Sequence, residues 1–357
     1  MNYEDLLNIG PYALSAAQKE QIYRDLLNRL TDWHRERCAP YGRVCRLLGD
    51  PAQGMRAVED IPMVPVSLFK QLPLSSVPEE EVFKTMTSSG TSGQKTSRIF
   101  LDQQTAAWQQ RTLERIVSDF IGRKRLPMLI IDSPDVLRDR NLFSARGAGI
   151  LGFSIFGTKR RYALTSDMKL DLDAVEAFAE EAAGGPALLF GFTYIIWKYF
   201  CQPLAALGRT LPLENGFLIH GGGWKKLQNE AVSGEAFKEG LRNTARLSRV
   251  RNYYGMAEQT GCIYMECEHG RLHASVYSDV RIRNMEDFSC CKNGTEGVIQ
   301  VLSPMARSYP GHSILTEDKG IILGEDDCPC GRKGKYIKIT GRIPAAEIRG
   351  CSDTYES

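Results

Sequence analysis

The sequence lacks three features that would assign it to a membrane or to nucleic acid. No apolar run approaches the roughly 20 residues that a membrane-spanning helix needs. Lys and Arg number 45 and Asp and Glu number 43, so no excess of positive charge favours binding to nucleic acid. Residues 1–5 do not show the basic and then apolar order of a signal peptide. We therefore expect a soluble, cytoplasmic protein without a nucleic-acid partner.

Internal repeats and low-complexity segments are lacking as well, and the composition is that of a folded protein. Hydrophobic residues make up 43% of the chain and charged residues 25%. A length of 357 residues allows one large domain or two ordinary ones. The sequence contains ten cysteines. In a reducing cytoplasm, clustered cysteines indicate a metal site or catalysis more than disulfides.

The spacing of apolar residues predicts an α/β protein with a smaller β-rich part. Helical periodicity predicts helices at residues 15–37, 108–120, 171–183, 194–207 and 226–243. Short apolar runs predict buried strands at 126–131, 187–190 and 217–220. Because these strands and helices alternate, we expect an α/β sheet covered on both faces. After residue 260, short strands at 272–276, 298–302 and 320–323 predict a β-rich subdomain.

A stretch of ten residues without an apolar side chain, 87–96, has the composition of a phosphate-binding loop. Its glycines allow close approach of backbone N–H groups, its hydroxyls donate hydrogen bonds, and Lys95 supplies a positive charge. The spacing does not match the common P-loop, which needs Gly, four residues and then Gly-Lys-Ser/Thr. Here Gly90 and Gly93 are three apart, and Gln94 precedes the lysine. An ATP enzyme with this loop belongs to another class.

Three later segments fit ATP chemistry. Residues 218–224 end a predicted strand in three glycines, which leave bare backbone for a flat ligand. Residues 251–261 combine Tyr-Gly with Glu258, which supplies a ring for stacking and a carboxylate for Mg²⁺. Residues 315–320 place Asp318 at a predicted turn, where it could accept two ribose hydroxyls. Each segment also has a simpler interpretation: a glycine turn, a chance match or a hairpin turn.

Taken in order, these motifs and the Gly-Arg pair at 341–342 resemble the adenylate-forming superfamily of acyl and aryl ligases. Within it, segments 60–70, 87–95, 221–225 and 350–357 are similar to the LuxE-type acyl-protein synthetases. The resemblance implies the superfamily's large N-terminal domain, a layered α/β fold with a smaller β-rich subdomain. We predict a helical and extended segment at 1–84, an ATP- and acyl-binding core at 85–262, the β-rich subdomain at 263–342, and a short tail at 343–357.

The resemblance also implies an activity and the residues that perform it. Family members convert a fatty acid and ATP to acyl-AMP and pyrophosphate. They then pass the acyl group to a cysteine near their C-terminus, and from there to a partner reductase or carrier. The implied roles are as follows: ATP binding by Thr87, Ser88, Ser89, Gly90, Thr91, Gly222, Gly223, Tyr254, Gly255, Asp318 and Arg342; catalysis by Lys95, Glu258 and Cys351; Mg²⁺ binding by Glu258; acyl binding by Gly191, Phe192, Trp197 and Gly221. The aromatic members of the acyl set are equally compatible with the protein core.

The chain also departs from the wider superfamily. There, an aspartate follows the Gly-Arg motif by two residues, and a mobile C-terminal domain then brings a catalytic lysine. Pro344 stands at the position of that aspartate, and we expect the mobile domain to be absent. The sequence therefore does not identify the source of that lysine, and efficient use of coenzyme A is in doubt.

Two groups of cysteines raise separate questions. Cys351 lies in a polar tail between Gly350 and Ser352, as an acyl-carrying thiol requires, although it could also be a bystander in a frayed terminus. Cys328 and Cys330 flank a proline, and upstream lie Cys267, His269 and His273. Two ligands from each segment would form a tetrahedral structural zinc site. The Cys-Pro-Cys-Gly-Arg element is similar to one in phenylacetate–CoA ligases, and the implied ligands are Cys267, His273, Cys328 and Cys330.

Two alternative functions remain open at this point. One is a phenylacetate-type CoA ligase, or a stand-alone enzyme that adenylates an aryl acid of secondary metabolism. The other is a scaffold that keeps an ATP-binding fold without turnover. Lys95, Glu258 and Asp318 are all present, which argues against the scaffold.

Overall fold

The structure is a computed structural model that describes residues 2–50, 54–87, 96–137, 145–224 and 230–343. The α-helices of these residues are α1 Tyr3–Leu7, α2 Ala16–Arg37, α3 Ala39–Leu47, α4 Leu68–Gln71, α5 Gln103–Ile121, α6 Ala145–Ser154, α7 Leu172–Glu181, α8 Thr193–Ile195, α9 Gln202–Ala206 and α10 Gly234–Ala245. The strands are β1 Val64–Pro65, β2 Lys84–Thr87, β3 Arg98–Leu101, β4 Leu126–Ile131, β5 Gly157–Tyr162, β6 Ala187–Phe192, β7 Gly216–Gly221, β8 Arg249–Tyr254, β9 Tyr264–Glu266, β10 Leu272–His273, β11 Asp279–Arg283, β12 Gly297–Leu302, β13 Ser313–Glu325 and β14 Lys335–Arg342. None of the described helices combines the length and apolar character needed to cross a bilayer.

The chain divides into two compact units. One, the parallel-sheet unit, is Phe120–Tyr254. The other, the mixed-sheet unit, combines the segments before and after it, Met1–Asp119 and Gly255–Ser357. This division joins the N-terminal segment to the β-rich region, whereas the boundaries predicted from the sequence follow chain order.

The parallel-sheet unit is built on strands in the order β8, β7, β6, β4, β5, each parallel to its neighbours. Strands β6 and β7 are buried along their whole length, as expected of central strands with both faces covered. The three strands predicted in this region are confirmed. Strand β8 was not predicted, because Arg249–Tyr254 shows neither a continuous apolar run nor a clear alternation of polar and apolar residues.

Two helices of this unit differ from their predicted form. The helix predicted at 194–207 is present, but its middle, Ile196–Cys201, is a π-helical turn between α8 and α9. The start of the helix predicted at 226–243 is wrong. Helix α10 begins at Gly234, where the Ser233 side chain accepts a hydrogen bond from the backbone N–H of Ala236. That N-cap satisfies a free donor of the first turn, so the helix starts there.

The mixed-sheet unit contains strands in the order β11, β12, β13, β14, β10, β9, with antiparallel neighbours. Short strand β1 pairs parallel with β13, and β2 pairs antiparallel with β3. The predicted helix at 15–37 is confirmed as α2, with Ser15 forming a capping box with Gln18. Its buried side packs Tyr23 and Leu27 into a core cluster with Leu302.

The turn predicted around Asp318 is wrong. Residues 315–320 lie inside the long strand β13, where Asp318 is paired with Arg342 of β14. The Asp-Lys-Gly sequence is typical of a turn, but pairing with strands on both sides keeps this backbone extended. The pairing of β13 with β14 shifts register between Lys319 and Gly320, an irregularity at which glycine is common.

Candidate functional site

The predicted ATP-binding and catalytic residues fall into three groups. Ser88, Ser89, Gly90, Thr91 and Lys95 lie outside the described residues, as does Cys351. Gly222, Gly223 and Tyr254 belong to the parallel-sheet unit. Thr87, Gly255, Glu258, Asp318 and Arg342 belong to the mixed-sheet unit. The geometry is therefore described for each unit by itself.

The two ends of the hydroxyl-rich segment are joined by a hairpin. Thr87 ends β2 and Arg98 begins β3, and these two residues are register partners. The segment between them thus starts and finishes at the same place on the mixed-sheet unit. Ser97, directly before β3, is completely buried. The sequence predicts a loop here, and the structure shows that the two strands on either side of it, β2 and β3, are paired.

Glu258 is a buried carboxylate in the same unit, only 5% exposed. It lies in the short 3-10 helix Ala257–Gln259. The Tyr309 hydroxyl donates to the Glu258 carbonyl at 2.7 Å, and Gln259 Nε2 donates to the Gly311 carbonyl at 2.8 Å. These two bonds fix the helical turn against the segment 309–311.

The electrostatic surroundings of Glu258 suit a bound cation. Burial raises the pKa of the Glu258 carboxyl, while the neighbouring Ser97 side chain and the positive charge of Lys70 lower it. Glu317 adds a further negative charge that raises the pKa. Among the described residues, none forms an ion pair with Glu258. A buried carboxylate that also experiences the negative charge of Glu317 fits Mg²⁺, whose preferred ligands are oxygens.

The predicted ribose-binding residues are brought together as an ion pair. Arg342 Nε lies 3.1 Å from Asp318 Oδ1, and Arg342 Nη2 lies 3.4 Å from Glu317 Oε2. Both carboxylates remain about one-quarter exposed, at 23% and 25%. Sequence reasoning did not identify Glu317. The sequence gives no signal for Glu317, because its contact with Arg342 depends on the pairing of β13 with β14.

In the parallel-sheet unit, the triple glycine ends strand β7 beside Thr193. Thr193 Oγ1 lies 2.8 Å from the Gly222 carbonyl oxygen, 3.1 Å from the Gly221 carbonyl oxygen and 2.9 Å from His220 Nδ1. Burial lowers the pKa of His220 to about 3, so this ring is neutral at physiological pH. Thr193 and His220 therefore fix the carbonyls of the glycine turn. Neither residue was predicted to have this role, although Thr193 directly follows a buried strand.

Two of the glycines have clear conformational reasons. A Cβ on Gly221 would lie 2.5 Å from the ring of Tyr253, so this glycine makes room for a partly buried aromatic ring. Gly222 has a φ of 74°, which disfavours any side chain. Gly222 and Gly223 are exposed at the end of the strand. The acyl-binding role of Gly221 stays a prediction beside this packing role.

The other predicted acyl-binding residues line the interior of the same unit. Gly191 is buried, and a Cβ there would lie 3.0 Å from the Ile131 carbonyl oxygen. Phe192 is 8% exposed and contacts the ring of Phe190. Trp197 lies on the π-helical turn and packs against Trp224 and Phe237. Tyr254, predicted to face adenine, ends β8 and is partly buried.

The four predicted metal ligands converge at one point of the mixed-sheet unit. The ligand atoms of Cys267, His273, Cys328 and Cys330 all lie within 4.8 Å of one another. The Sγ atoms of Cys267 and Cys328 are 3.9 Å apart, and Cys330 Sγ lies 3.4 Å from His273 Nε2. In a tetrahedral zinc site, ligand atoms lie about 3.5–3.8 Å apart, given Zn–S of about 2.3 Å and Zn–N of about 2.0 Å. The two separations of 3.9 and 3.4 Å are close to those values.

The ionisation of two of these ligands, His273 and Cys328, also suits a metal, whereas burial raises the pKa of Cys267 to about 11. Burial lowers the pKa of His273 to about 4, with help from Arg332 and Arg271, so the imidazole is neutral and able to ligate. Burial opposes ionisation of Cys328, but donors that include the Cys330 backbone N–H outweigh it, and the pKa of this thiol is lowered. His269 lies between Cys267 and His273 in the sequence, but its side chain is exposed and does not belong to the cluster.

Comparison with known proteins identifies the family. The model of the family "Acyl-protein synthetase, LuxE" matches residues 2–357. A long-chain-fatty-acid–luciferin-component ligase of Vibrio harveyi is 24% identical over 367 residues, with 98% of this chain and 91% of the relative covered. The enzyme of the same name from Aliivibrio fischeri is 23% identical over 361 residues, with 96% and 90% covered.

Solved structures agree on the fold. An open conformation of 2-hydroxyisobutyryl-CoA ligase, in complex with 2-HIB-AMP and CoA, matches with a TM-score of 0.67 at 15% identity. The match covers 93% of this chain and 76% of the ligase. The predicted fold class, the mixed α/β fold of the large domain of adenylate-forming ligases, is thereby confirmed. The chain belongs to the LuxE acyl-protein synthetase family and is a ligase.

Proposed function

We propose that this ligase activates a long-chain fatty acid with ATP and transfers the acyl group to Cys351. The observation that carries the proposal is the buried Glu258, which lies beside Ser97 at the end of the hydroxyl-rich segment. A buried carboxylate without an ion-pair partner among the described residues is costly unless a ligand compensates its charge. The fatty-acid substrate is supported by the names of the two related ligases.

The proposed reaction has two chemical steps. First, a carboxylate oxygen of the acid attacks the α-phosphorus of ATP, the new O–P bond forms, and pyrophosphate leaves with the electrons of the broken P–O bond. Then the Cys351 thiol loses its proton to solvent and its sulfur attacks the acyl carbon, so that AMP leaves and a thioester forms. A partner protein, a reductase or a carrier, takes the acyl group from the thioester.

This chain's residues have defined tasks in the first step. Mg²⁺, held by Glu258, would supply positive charge at the phosphates. Residues 87–96 would donate hydrogen bonds to the phosphate oxygens, and Asp318, oriented by Arg342, would accept from the ribose hydroxyls. Thr193 holds the carbonyls of the exposed glycine turn at one conformation. The contacts with Mg²⁺, with the phosphates and with the ribose would orient the nucleotide before the acid attacks.

Zinc is proposed as a structural metal only. Cys267, His273, Cys328 and Cys330 provide four protein ligands, so a tetrahedral site would have no open position for substrate. A closed site of this kind stabilises the fold without entering the reaction.

Acid-dependent exchange between ATP and labelled pyrophosphate tests the first step. We expect exchange with long-chain fatty acids, no exchange with aryl acids, and no requirement for coenzyme A. Exchange with aryl acids alone, or product formation only with coenzyme A, would support a CoA ligase or an aryl-acid enzyme instead. If no acid supports exchange, the proposal is wrong.

Retention of a labelled acyl group on the protein tests the second step. Cys351→Ser is expected to keep the exchange activity and to lose the hydroxylamine-labile acyl label. Cys291→Ser, a partly buried cysteine elsewhere in the chain, serves as the matched control and should keep both. A Cys351→Ser protein that labels as well as the wild type would exclude this acceptor.

A further inference from the structure

Lys70 lies on a short helix that is fixed to the strand carrying Asp318. Strand β1 pairs parallel with β13 through Val64 and Ile314, and the backbone N–H of Val66 donates to the Leu315 carbonyl at 2.9 Å. Helix α4, Leu68–Gln71, follows directly. The pairing thus places the start of α4 close to Leu315 of β13, directly before Thr316, Glu317 and Asp318.

A chain of packed side chains connects α4 to Glu258. Phe69, the residue before Lys70, is 1% exposed, and its ring meets that of Tyr309 edge-on at a centroid distance of 6.2 Å. The Tyr309 hydroxyl donates to the Glu258 carbonyl at 2.7 Å. Phe69 therefore anchors α4 on the same residue that holds the Glu258 turn.

The same helix also contacts the hairpin of the hydroxyl-rich segment. Helix α4 packs against β3, the strand that begins at Arg98, opposite Thr87. Lys70 itself is partly exposed, and its positive charge acts on the Glu258 carboxyl. No carboxylate among the described residues forms an ion pair with Lys70. Lys70 thus carries a positive charge that acts on Glu258 but has no ion-pair partner in the described part of the chain, so it is available to a ligand with negative charge.

We infer that Lys70 is a catalytic residue of the adenylation step, and that its ammonium group contacts the triphosphate of ATP. This inference rests on the proposed function. As the carboxylate attacks the α-phosphorus and pyrophosphate leaves, negative charge increases on the phosphate oxygens, and a fixed ammonium group stabilises that charge. Lys70 keeps its proton throughout, and no redox change occurs. The sequence left the source of such a lysine open, and the tertiary structure supplies a candidate.

Lys70→Met removes the charge and keeps much of the apolar stem. We expect the variant to lower kcat for fatty-acid-dependent pyrophosphate exchange by about 100-fold, as for the loss of one transition-state donor, with the KM for the fatty acid unchanged. Lys70→Arg, which keeps the charge, should recover at least tenfold of this loss. Lys292→Met, at an exposed lysine of the same unit, is the matched control and should exchange like the wild type.

The pH dependence separates direct contact from an effect through Glu258. If Lys70 acted only by keeping Glu258 ionised, the Lys70→Met enzyme would regain wild-type rates as the pH is raised. We expect the loss to persist as the pH is raised from 6 to 9, although a Glu258 carboxyl with a raised pKa would regain its charge on that rise. Recovery at high pH, or exchange equal to that of Lys292→Met, would overturn the inference. A wild-type protein without exchange would instead refute the proposed function.

Discussion

The buried histidines His34 and His312 make the stability of the mixed-sheet unit dependent on pH. Both are completely buried, and their rings stack at a centroid distance of 4.9 Å. His34 Nε2 lies 2.9 Å from the Ala306 carbonyl and therefore carries the proton, while Nδ1 accepts from the Ser76 hydroxyl at 2.7 Å. This arrangement requires a neutral imidazole, because a second proton on Nδ1 would displace the hydroxyl hydrogen.

The size of the effect follows from the shift of the His34 pKa. Burial lowers the pKa of His34 to about 3, whereas an unfolded histidine titrates near 6.5. The stabilisation is complete above about pH 6.5 and is lost as the pH falls, because only the unfolded chain then binds the proton. At pH 5, about 1.5 units below the pKa of an unfolded histidine, protonation of His34 in the unfolded chain lowers the free energy of unfolding by about 2 kcal/mol. Burial lowers the pKa of His312 as well, so its effect has the same sign.

Urea unfolding at pH 7.5 and pH 5 measures this loss. His34→Gln removes one titrating group, so its loss of stability between the two pH values should be about 2 kcal/mol smaller than that of the wild type. His269→Gln, at an exposed histidine, should behave like the wild type. If His34→Gln loses as much stability on acidification as the wild type, the reasoning fails. Should that variant not fold, NMR titration of wild-type His34 gives the same answer, and a pKa near 6.5 would refute it.

Two further predictions concern the ligand sites. Glu258→Gln should reduce pyrophosphate exchange by at least about 100-fold, while raising the thermal midpoint of the ligand-free protein, because a buried charge is removed. A lower midpoint in differential scanning calorimetry would contradict this account. Protein purified without chelator should contain about one zinc per chain, and Cys328→Ser should lose the metal and stability, whereas Cys291→Ser should lose neither. Metal analysis that finds less than about a tenth of an equivalent in the wild type would exclude the site.

Local sequence signals predicted two kinds of element: helices with their own capping residues, and strands that are apolar throughout because both faces are covered. Helix α2 has a capping box and an apolar side, so its start at Ala16 could be predicted within a residue. Strand β4 occupies the predicted range because both its faces are covered and its run is continuously apolar. The hydroxyl-rich segment and the Glu258 motif were recognised by residue type alone, without knowledge of their surroundings.

The errors arose where distant pairing outweighs local preference. The segment around Asp318 has the composition of a turn, yet hydrogen bonding to β12 and β14 keeps β13 extended through it. The ligand-binding role of the glycines at 221–223 stays a prediction, but the sequence did not reveal that Gly221 makes room for Tyr253, because strand β8 was not predicted. A pattern of residue types does not contain such information, because it depends on the register between strands.

The sequence by itself determined which side-chain types are available to this protein: a segment rich in glycine and hydroxyl groups, an acidic residue after a Tyr-Gly pair, and cysteines close to histidines in the chain. Tertiary structure decided which of these groups meet. It brought Cys267 and His273 to Cys328 and Cys330, paired Asp318 with Arg342, and placed the helix of Lys70 against the residue that holds Glu258. The physical reason is that sheet pairing fixes distances between segments far apart in the chain, whereas side-chain type fixes only what each group can do once it arrives.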